Sequence, residues 1–217
     1  MMQIKQYSWD VVNANSWLIT DDNDGILIDA VDNPNLFKAI VELSTLTIIL
    51  THCHFDHIIG LNKIREIRPD ASVVSTGLCS EYIGNKFRNM SSSASAFMTF
   101  YEEGRKKGIK IAPFTCAPAD ETFDEEKKLS WKGHEIQLTA FQGHSKDGLI
   151  AVIDDQYMFS GDTLLSIPTV TRLPGGNTRL FWDKDIPKLR TMPTERVFPG
   201  HGRQGEKDEM LSINQNC

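Results

Sequence analysis

Three of the six histidines in this chain lie within six positions, directly after a short apolar run. The run, at residues 47–50, is rich in β-branched side chains and predicts a buried strand. Helical spacing of apolar residues begins again at residues 59–67. The histidine cluster at residues 52–57, with the sequence HCHFDH, therefore falls on a loop between a strand and a helix. Because sites are usually built on loops at the carboxyl ends of strands, this feature requires a fold that presents such a loop at a sheet edge.

The side chains of this cluster have the chemistry of metal ligands. On an extended backbone, His52 and His54 would point the same way. Asp56 and His57 follow where the chain turns into the helix, and they offer a second set of ligands. Imidazole together with carboxylate suits zinc, iron or manganese, whereas thiolate-rich sites favour structural zinc. Packing alone does not account for four such residues in six positions, so we interpret the cluster as part of a metal site.

Three later segments each bring another candidate ligand directly after a strand-like run and beside a glycine. These candidates are His144, Asp162 and His201. The neighbouring glycines let the backbone turn tightly and come close to an ion. Each segment alone is a weak signal. Together with the first cluster they would bring seven ligands to one edge of the sheets, which is enough for two ions.

Strand and helix patterns recur in both halves of the chain, which suggests one domain over residues 1–217 with pseudo-duplicated halves at roughly 1–115 and 116–217. Residues 77–108 are predicted to form a mostly helical insertion with a break at residues 89–93, which either packs on the core or acts as a lid over a substrate pocket. The pattern predicts an α+β protein with helices outside its sheets. Predicted strands lie at residues 16–20, 25–29, 47–50, 129–131, 135–141, 149–153, 157–160 and 196–198, and predicted helices at 35–43, 59–67 and 184–192.

Composition and charge exclude several classes of protein. With 23 Lys and Arg against 29 Asp and Glu, the net charge of −6 does not favour nucleic-acid binding. No stretch approaches the roughly 18 apolar residues of a membrane span, and the first residues contain no signal-peptide run. The four cysteines (Cys53, Cys79, Cys116 and Cys217) do not have the spacing of a disulfide framework. We expect a reduced, cytoplasmic protein that acts on a small molecule, with no nucleic-acid or membrane partner and with a homodimer left open.

The ligand pattern resembles the metal-binding motifs of the metallo-β-lactamase-fold hydrolase superfamily. The likeness is carried by residues 52–57, followed by His144, Asp162 and His201 in that order. The stretch from Asp162 through residues 172–176 to the PGHG motif around His201 is most similar to the short, glyoxalase-II-like branch. The resemblance implies an αββα four-layer sandwich with a binuclear site on one edge.

The resemblance also implies a role for each ligand. His52, His54 and His144 would hold the first metal, Asp56, His57 and His201 would hold the second, and Asp162 would bridge them. Two divalent ions, expected to be zinc with iron or manganese as alternatives, would share a hydroxide formed from a water whose pKa falls from about 15.7 toward about 7. This hydroxide would cleave a small ester-like bond, a thioester or a lactone. Asp56 would also be catalytic, because it could orient the nucleophile and pass a proton to the leaving group.

Two further residues enter through the resemblance. Asp29 matches the family's first aspartate, and it is expected to fix a loop or a ligand imidazole rather than to bind metal directly. Arg172 would lie near the mouth of the active site, where it could pair with a substrate carboxylate or instead hold the adjacent turn through an ion pair. Cys53 is expected to be buried and to point away from the metals, and His134 is expected at the surface.

Other activities stay open. Full glyoxalase II enzymes add a helical domain that binds glutathione, and the 16 residues after His201 are too few for it. The alternative is an iron-dependent oxidoreductase, since persulfide dioxygenases and di-iron oxygen reductases resemble the same fold. Persulfide dioxygenases typically use only the first metal, and di-iron oxygen reductases usually carry a flavin domain. The intact second-site residues Asp56, His57 and His201 therefore favour hydrolysis. A third hypothesis is a metal-dependent scaffold without catalytic activity.

Overall fold

The computed structural model describes residues 1–214, which cluster into two compact units. Unit 1 comprises residues 1–75 and 79–122, and unit 2 comprises residues 76–78 and the chain from Phe123 onward. Within the described range, each unit carries one mixed sheet of six strands together with helices. The predicted single domain of two similar halves stays a prediction. Cys217 lies outside the described residues.

The sheet of unit 1 is antiparallel at one end and parallel in its centre. Its strands are β1 (Gln3–Trp9), β2 (Ala14–Asp21), β3 (Asp24–Ile28), β4 (Thr45–Ile49), β5 (Ser72–Thr76) and β6 (Glu121–Phe123), adjacent in that order. β1 to β3 pair antiparallel, whereas β4 pairs parallel with both β3 and β5. Because parallel strands end at the same edge, the residues that follow β3 and β4 meet there. The three predicted strands of this half are present, and β1, β5 and β6 were not predicted.

The helices up to residue 122 are short. They are α1 (Pro34–Val41), α2 (Phe55–Ile58), α3 (Leu61–Ile67), α4 (Gly77–Ile83), α5 (Ala94–Phe97) and α6 (Glu102–Lys107), with 3₁₀ turns at Ser91–Ser93 and Met98–Phe100. The Asn33 side chain accepts from two backbone N–H groups at the start of α1, with Pro34 in the first turn. The predicted helix at 59–67 is preceded by α2, so the histidine cluster runs into a helix of its own. The insertion at 77–108 is mostly helical and interrupted before residue 91, as predicted, and its second part is divided further into short helices and 3₁₀ turns.

The break between α2 and α3 falls at Gly60. Its backbone N–H donates to Ala30 O over 2.7 Å. A Cβ atom at this position would lie 2.4 Å from Val31 O. Only glycine therefore lets the helical segment pack directly against the chain that leaves β3.

The sheet of unit 2 has the strand order β12-β11-β10-β9-β8-β7. The strands are β7 (Glu126–Trp131), β8 (His134–Ala140), β9 (Leu149–Ile153), β10 (Tyr157–Gly161), β11 (Arg196–Pro199) and β12 (Gly205–Glu206). β10 runs parallel to β11 and antiparallel to β9, which in turn runs antiparallel to β8. β8, β10 and β11 therefore end at the same edge, and His144, Asp162 and His201 follow these three strands.

The helices of unit 2 cover one core. They are α7 (Thr178–Leu180), a π-helix at Phe181–Asp185, α8 (Ile186–Thr191) and α9 (Lys207–Asn214). The predicted helix at 184–192 is thus partly π-helical, and α9 was not predicted. The core consists of Phe141, Ile150, Val152, Met158, Leu164, Phe181, Ile186, Leu189, Val197, Met210 and Leu211.

No helix among residues 1–214 has both the length and the apolar character that a bilayer crossing needs. Three cysteines, Cys53, Cys79 and Cys116, are buried.

Candidate metal centre

Asp29 anchors the loop that follows β4. Its buried carboxylate accepts the Thr51 N–H at Oδ1 and the Thr51 hydroxyl at Oδ2, each over 2.7 Å, and Oδ2 lies 2.8 Å from His57 Nδ1. Because a carboxylate accepts hydrogen bonds, His57 Nδ1 carries the hydrogen and Nε2 is the ring atom suited to bind metal. Asp29 also has a positive φ of 59°, a conformation that is sterically unfavourable outside glycine. The surrounding hydrogen bonds hold it there.

The Thr51 hydroxyl extends this arrangement to His52. Its single hydrogen is donated to Asp29, so its oxygen accepts from His52 Nδ1, 3.0 Å away. His52 therefore presents Nε2, which lies 3.1 Å from His54 Nδ1. Two nitrogen ligands about 2.0–2.1 Å from one tetrahedral ion are about 3.3 Å apart. The spacing of these two ring nitrogens fits a shared ion.

Asp56 and His57 are both buried in α2. The His57 backbone is fixed at both ends, since its N–H donates to His54 O over 3.0 Å and its carbonyl accepts from Ala30 N over 2.7 Å. The rings of His52 and His57 have centroids 4.3 Å apart. Ligand atoms of Asp29, His52 and His57 lie within 4.8 Å of one another. Both Asp29 oxygens already accept hydrogen bonds, so its contacts are those of a residue that orients a ligand.

In unit 2, two imidazoles converge on one carboxylate oxygen. Asp162 Oδ2 lies 3.6 Å from His144 Nε2 and 3.4 Å from His201 Nε2. His144 and Asp162 are buried. Both distances are typical of two ligands of the same metal ion, about 3.3 Å or slightly more. The arrangement suits a carboxylate that bridges two ions, each with its own histidine.

The orientation of His144 is fixed by the loop that follows Asp162. His144 Nδ1 lies 2.7 Å from Val170 O. Since a carbonyl only accepts, Nδ1 carries the hydrogen and Nε2 faces Asp162. The loop is itself tied to α9, because Asn214 Oδ1 accepts from Thr169 N over 2.7 Å. Sequence reasoning missed both Thr51 and Val170: the first could have been noted as a hydroxyl beside the cluster, but a backbone carbonyl leaves no sequence signal.

Arg172, His134 and Cys53 are the other residues considered in the sequence analysis. Arg172 is exposed, and it forms no ion pair among residues 1–214. The ion pair that was the alternative explanation for this residue, holding the adjacent turn, is therefore not observed. His134 is partly buried at the start of β8, where Nδ1 lies 2.6 Å from Asp154 Oδ2. Cys53 is buried, with Sγ 3.5 Å from Arg88 O.

Comparison with known proteins shows which family this chain resembles in sequence and structure. The family model described as "Metallo-beta-lactamase superfamily" matches residues 9–201. A Bacillus subtilis (strain 168) protein named "Probable metallo-hydrolase YqgX" is 27% identical over 211 residues, which cover 94% of this chain and 92% of that protein. A "Hydroxyacylglutathione hydrolase" of Francisella philomiragia subsp. philomiragia is 37% identical over 76 residues, which cover 33% of this chain and 30% of that protein.

Among solved structures, the BLEG-1 B3 metallo-beta-lactamase matches with a TM-score of 0.77 and 24% identity, covering 98% of both chains. This likeness shows the fold. The prediction of an α+β chain with two sheets and helices, in the fold of that family, is confirmed.

Proposed function

Because the chain belongs to the metallo-beta-lactamase superfamily, whose members are generally metal-dependent hydrolases, we propose that it hydrolyses a small thioester or lactone with two divalent metal ions. The observation that carries the proposal is the position of Asp162 Oδ2, which faces the Nε2 atoms of both His144 and His201. A single carboxylate oxygen between two imidazoles can serve two neighbouring ions, each bound by one of the imidazoles. The relative named as a hydroxyacylglutathione hydrolase supports an ester-like substrate.

Each ion would have its own set of proposed ligands. We assign His52, His54 and His144 to one ion, Asp56, His57 and His201 to the other, and Asp162 to both. The 3.1 Å separation of His52 Nε2 and His54 Nδ1 supports the first set. All donors are imidazole nitrogens or carboxylate oxygens, which suit zinc first and also iron or manganese.

The bound ions would polarise the substrate carbonyl and lower the pKa of a water toward about 7. The protein's contribution is to hold the ligands in place: Asp29 and Thr51 fix the rings of His52 and His57, and Val170 fixes that of His144. Preset ring orientations reduce the reorganisation needed when metal or substrate binds. We assign to Asp56 the delivery of a proton to the leaving group.

Substrate contacts are proposed for the helical insertion at 77–108. Its Phe97 ring stacks on Phe55, inside the histidine cluster, with centroids 6.3 Å apart. Phe100 is 79% exposed and Tyr101 is 38% exposed. These apolar side chains suit the acyl part of a small substrate. A small-molecule substrate also agrees with the net charge of −6, which disfavours binding to nucleic acid. The buried thiols fit a reducing compartment such as the cytoplasm.

The experiment is metal analysis of the purified protein, followed by turnover assays with a thioester, a lactone and a phosphodiester. We expect about two zinc ions per chain, with turnover of an ester-like substrate. Asp162→Asn should lower kcat/KM by about 10³-fold or more, because the neutral amide lacks the negative charge that would hold two cations together and keeps only one ligand oxygen. Asp183→Asn, which changes an exposed aspartate of unit 2, serves as the matched control and should leave turnover unchanged.

Three outcomes would contradict the proposal. Near-normal turnover of Asp162→Asn would show that Asp162 does not bridge two ions during catalysis. Bound iron with oxygen consumption would favour the oxidoreductase alternative. Bound metal without turnover of any substrate would favour a scaffold.

A further inference from the structure

The backbone of the residue before His144 is held at both ends by one helical segment. Gly143 N–H donates to Asp185 Oδ2 over 2.7 Å, and Gly143 O accepts from Asn177 N–H over 2.8 Å. The Gln142 N–H also donates to the Asp185 carboxylate. Two consecutive amides of the loop that carries His144 are thus bound to a single buried side chain.

This contact leaves no room for a side chain in the loop. A Cβ atom on Gly143 would lie 2.4 Å from Asp185 Oδ2 and 2.7 Å from Phe181 Cα. Phe181 and Asp185 are the first and last residues of the π-helix. π-helices are rare, appear mostly as single turns inside α-helices, and occur frequently at functional sites. The unusual helix is therefore located where the segment touches the His144 loop.

Burying the carboxylate of Asp185 at this contact costs free energy. The side chain is buried, and burial raises the pKa of its carboxyl to about 6. An asparagine or serine could accept from an amide without a buried charge. The ionised carboxylate differs in the strength of its hydrogen bonds, since charge-assisted bonds are roughly twice as strong as neutral ones.

We propose that Asp185 is a positioning residue for His144: its carboxylate holds the Gln142 and Gly143 amides and thereby sets where the imidazole meets the metal. The inference rests on the proposed function, since it takes His144 to be a metal ligand. Asp185 fixes the backbone, while Val170 O fixes the ring through Nδ1. The two restraints together determine the position of Nε2.

Several charged groups surround Asp185. Lys184 and Lys188 lie on its own helical segment and favour the ionised carboxyl. Asp124, Glu125 and Glu126 line the same cavity of about 320 Å³, and Glu126 pairs with Lys188 over 3.5 Å. Any pH dependence assigned to Asp185 must therefore be measured as a difference from a variant that keeps all of these groups.

The test is competition between the zinc-loaded protein and a chromophoric chelator, which gives the affinity of each bound ion without reference to turnover. Asp185→Ala should weaken one of the two ions by about 10- to 100-fold, the effect expected when a partner behind a ligating histidine is lost. Asp185→Asn should weaken it less, because its amide oxygen still accepts. Asp183→Asn, an exposed aspartate in the same π-helix, is the control and should bind zinc as the unchanged protein does.

The pH profile separates positioning from simple support of the fold. Above about pH 6 the unchanged protein should bind that ion more tightly than Asp185→Asn, and the ratio of the two affinities should approach one as the carboxyl is protonated. A ratio that stays constant across this range would overturn the proposal, and so would wild-type affinity in Asp185→Ala. If Asp185→Ala shows no cooperative thermal unfolding, the proposal is tested with Asp185→Asn alone, by its zinc affinity and by the pH dependence of that affinity.

His144→Ala distinguishes this inference from the proposed function. If His144→Ala loses one ion while both Asp185 variants bind normally, only the positioning role is wrong. If His144→Ala keeps both ions, His144 is not a ligand and both proposals fall.

Discussion

Replacing Asp29 with asparagine should disturb two metal ligands at once. Asp29 Oδ2 accepts from His57 Nδ1 and from the Thr51 hydroxyl, which in turn accepts from His52 Nδ1. An amide nitrogen in place of Oδ2 would donate, so His57 Nδ1 would have to accept and the hydrogen would move to Nε2. The Thr51 hydroxyl would then accept from the amide and donate to His52 Nδ1, so the hydrogen of His52 would also move to Nε2. Both rings would then carry a hydrogen on the nitrogen that is proposed to bind metal.

The size of the effect follows from these contacts. Loss of the group behind a ligating histidine costs about 10- to 100-fold in metal affinity, and here it would affect one histidine of each proposed ion. If the amide turned the other way, its nitrogen would face the Thr51 N–H, and a buried donor without an acceptor costs about 1–3 kcal/mol. Asparagine tolerates the φ of 59° at this position, so backbone strain adds little.

Thr51→Val is the matched comparison. It removes the hydroxyl between Asp29 and His52 but keeps the contact of 2.8 Å between Asp29 and His57. Stepwise chelator titration should therefore show two weakened zinc ions in Asp29→Asn and one in Thr51→Val. The reasoning would be refuted if Asp29→Asn bound both ions with unchanged affinity, or if Thr51→Val weakened both equally.

Three further predictions concern stability and reactivity. Gly60→Ala should lower the free energy of unfolding in urea by about 1–3 kcal/mol, because its Cβ would lie 2.4 Å from Val31 O, whereas Gly77→Ala, with its nearest contact at 3.4 Å, should change it little. Burial raises the pKa of Asp185 from 3.8 to about 6, so the folded state binds the extra proton and this contribution to stability is lost as the pH rises from about 4 through about 6. In metal-free protein, Asp185→Asn should therefore flatten the decline of unfolding free energy over this range, and an unchanged slope would contradict the assignment. Burial also raises the pKa of the Cys116 thiol to about 12, so it should resist alkylation near neutral pH until the protein is unfolded in denaturant, and rapid native labelling would show that this thiol is accessible.

Local sequence patterns predicted the parts of the fold that local chemistry controls. The apolar run before the histidine cluster forms β4, and the alternation at 135–141 forms β8. β1 was missed because it mixes polar and apolar residues and only two of its side chains, Tyr7 and Trp9, are buried. The π-helix could not be seen either, since one extra residue per turn shifts the apolar period without changing composition.

The candidate ligands were also accessible from sequence, because histidines and aspartates after strands are conspicuous. Their supporting groups were not. Val170 lies 26 residues from His144 and acts through its backbone carbonyl, which every residue possesses. Asp185 lies 42 residues from Gly143, in a stretch that was predicted only as a helix at 184–192. Such partners are defined by tertiary packing, so they become visible only once the chain is folded.

Two features that oppose folding occur directly behind candidate ligands. Asp29 holds a positive φ while its carboxylate is buried, and the carboxyl of Asp185 has a pKa raised by burial. Strain and buried charge of this kind cost free energy and persist only where surrounding contacts enforce them. Asp29 bonds directly to His57, and Asp185 bonds to the residue before His144. Stability alone would favour neutral side chains at both positions, so their presence is better explained by the precision with which two imidazoles must be held.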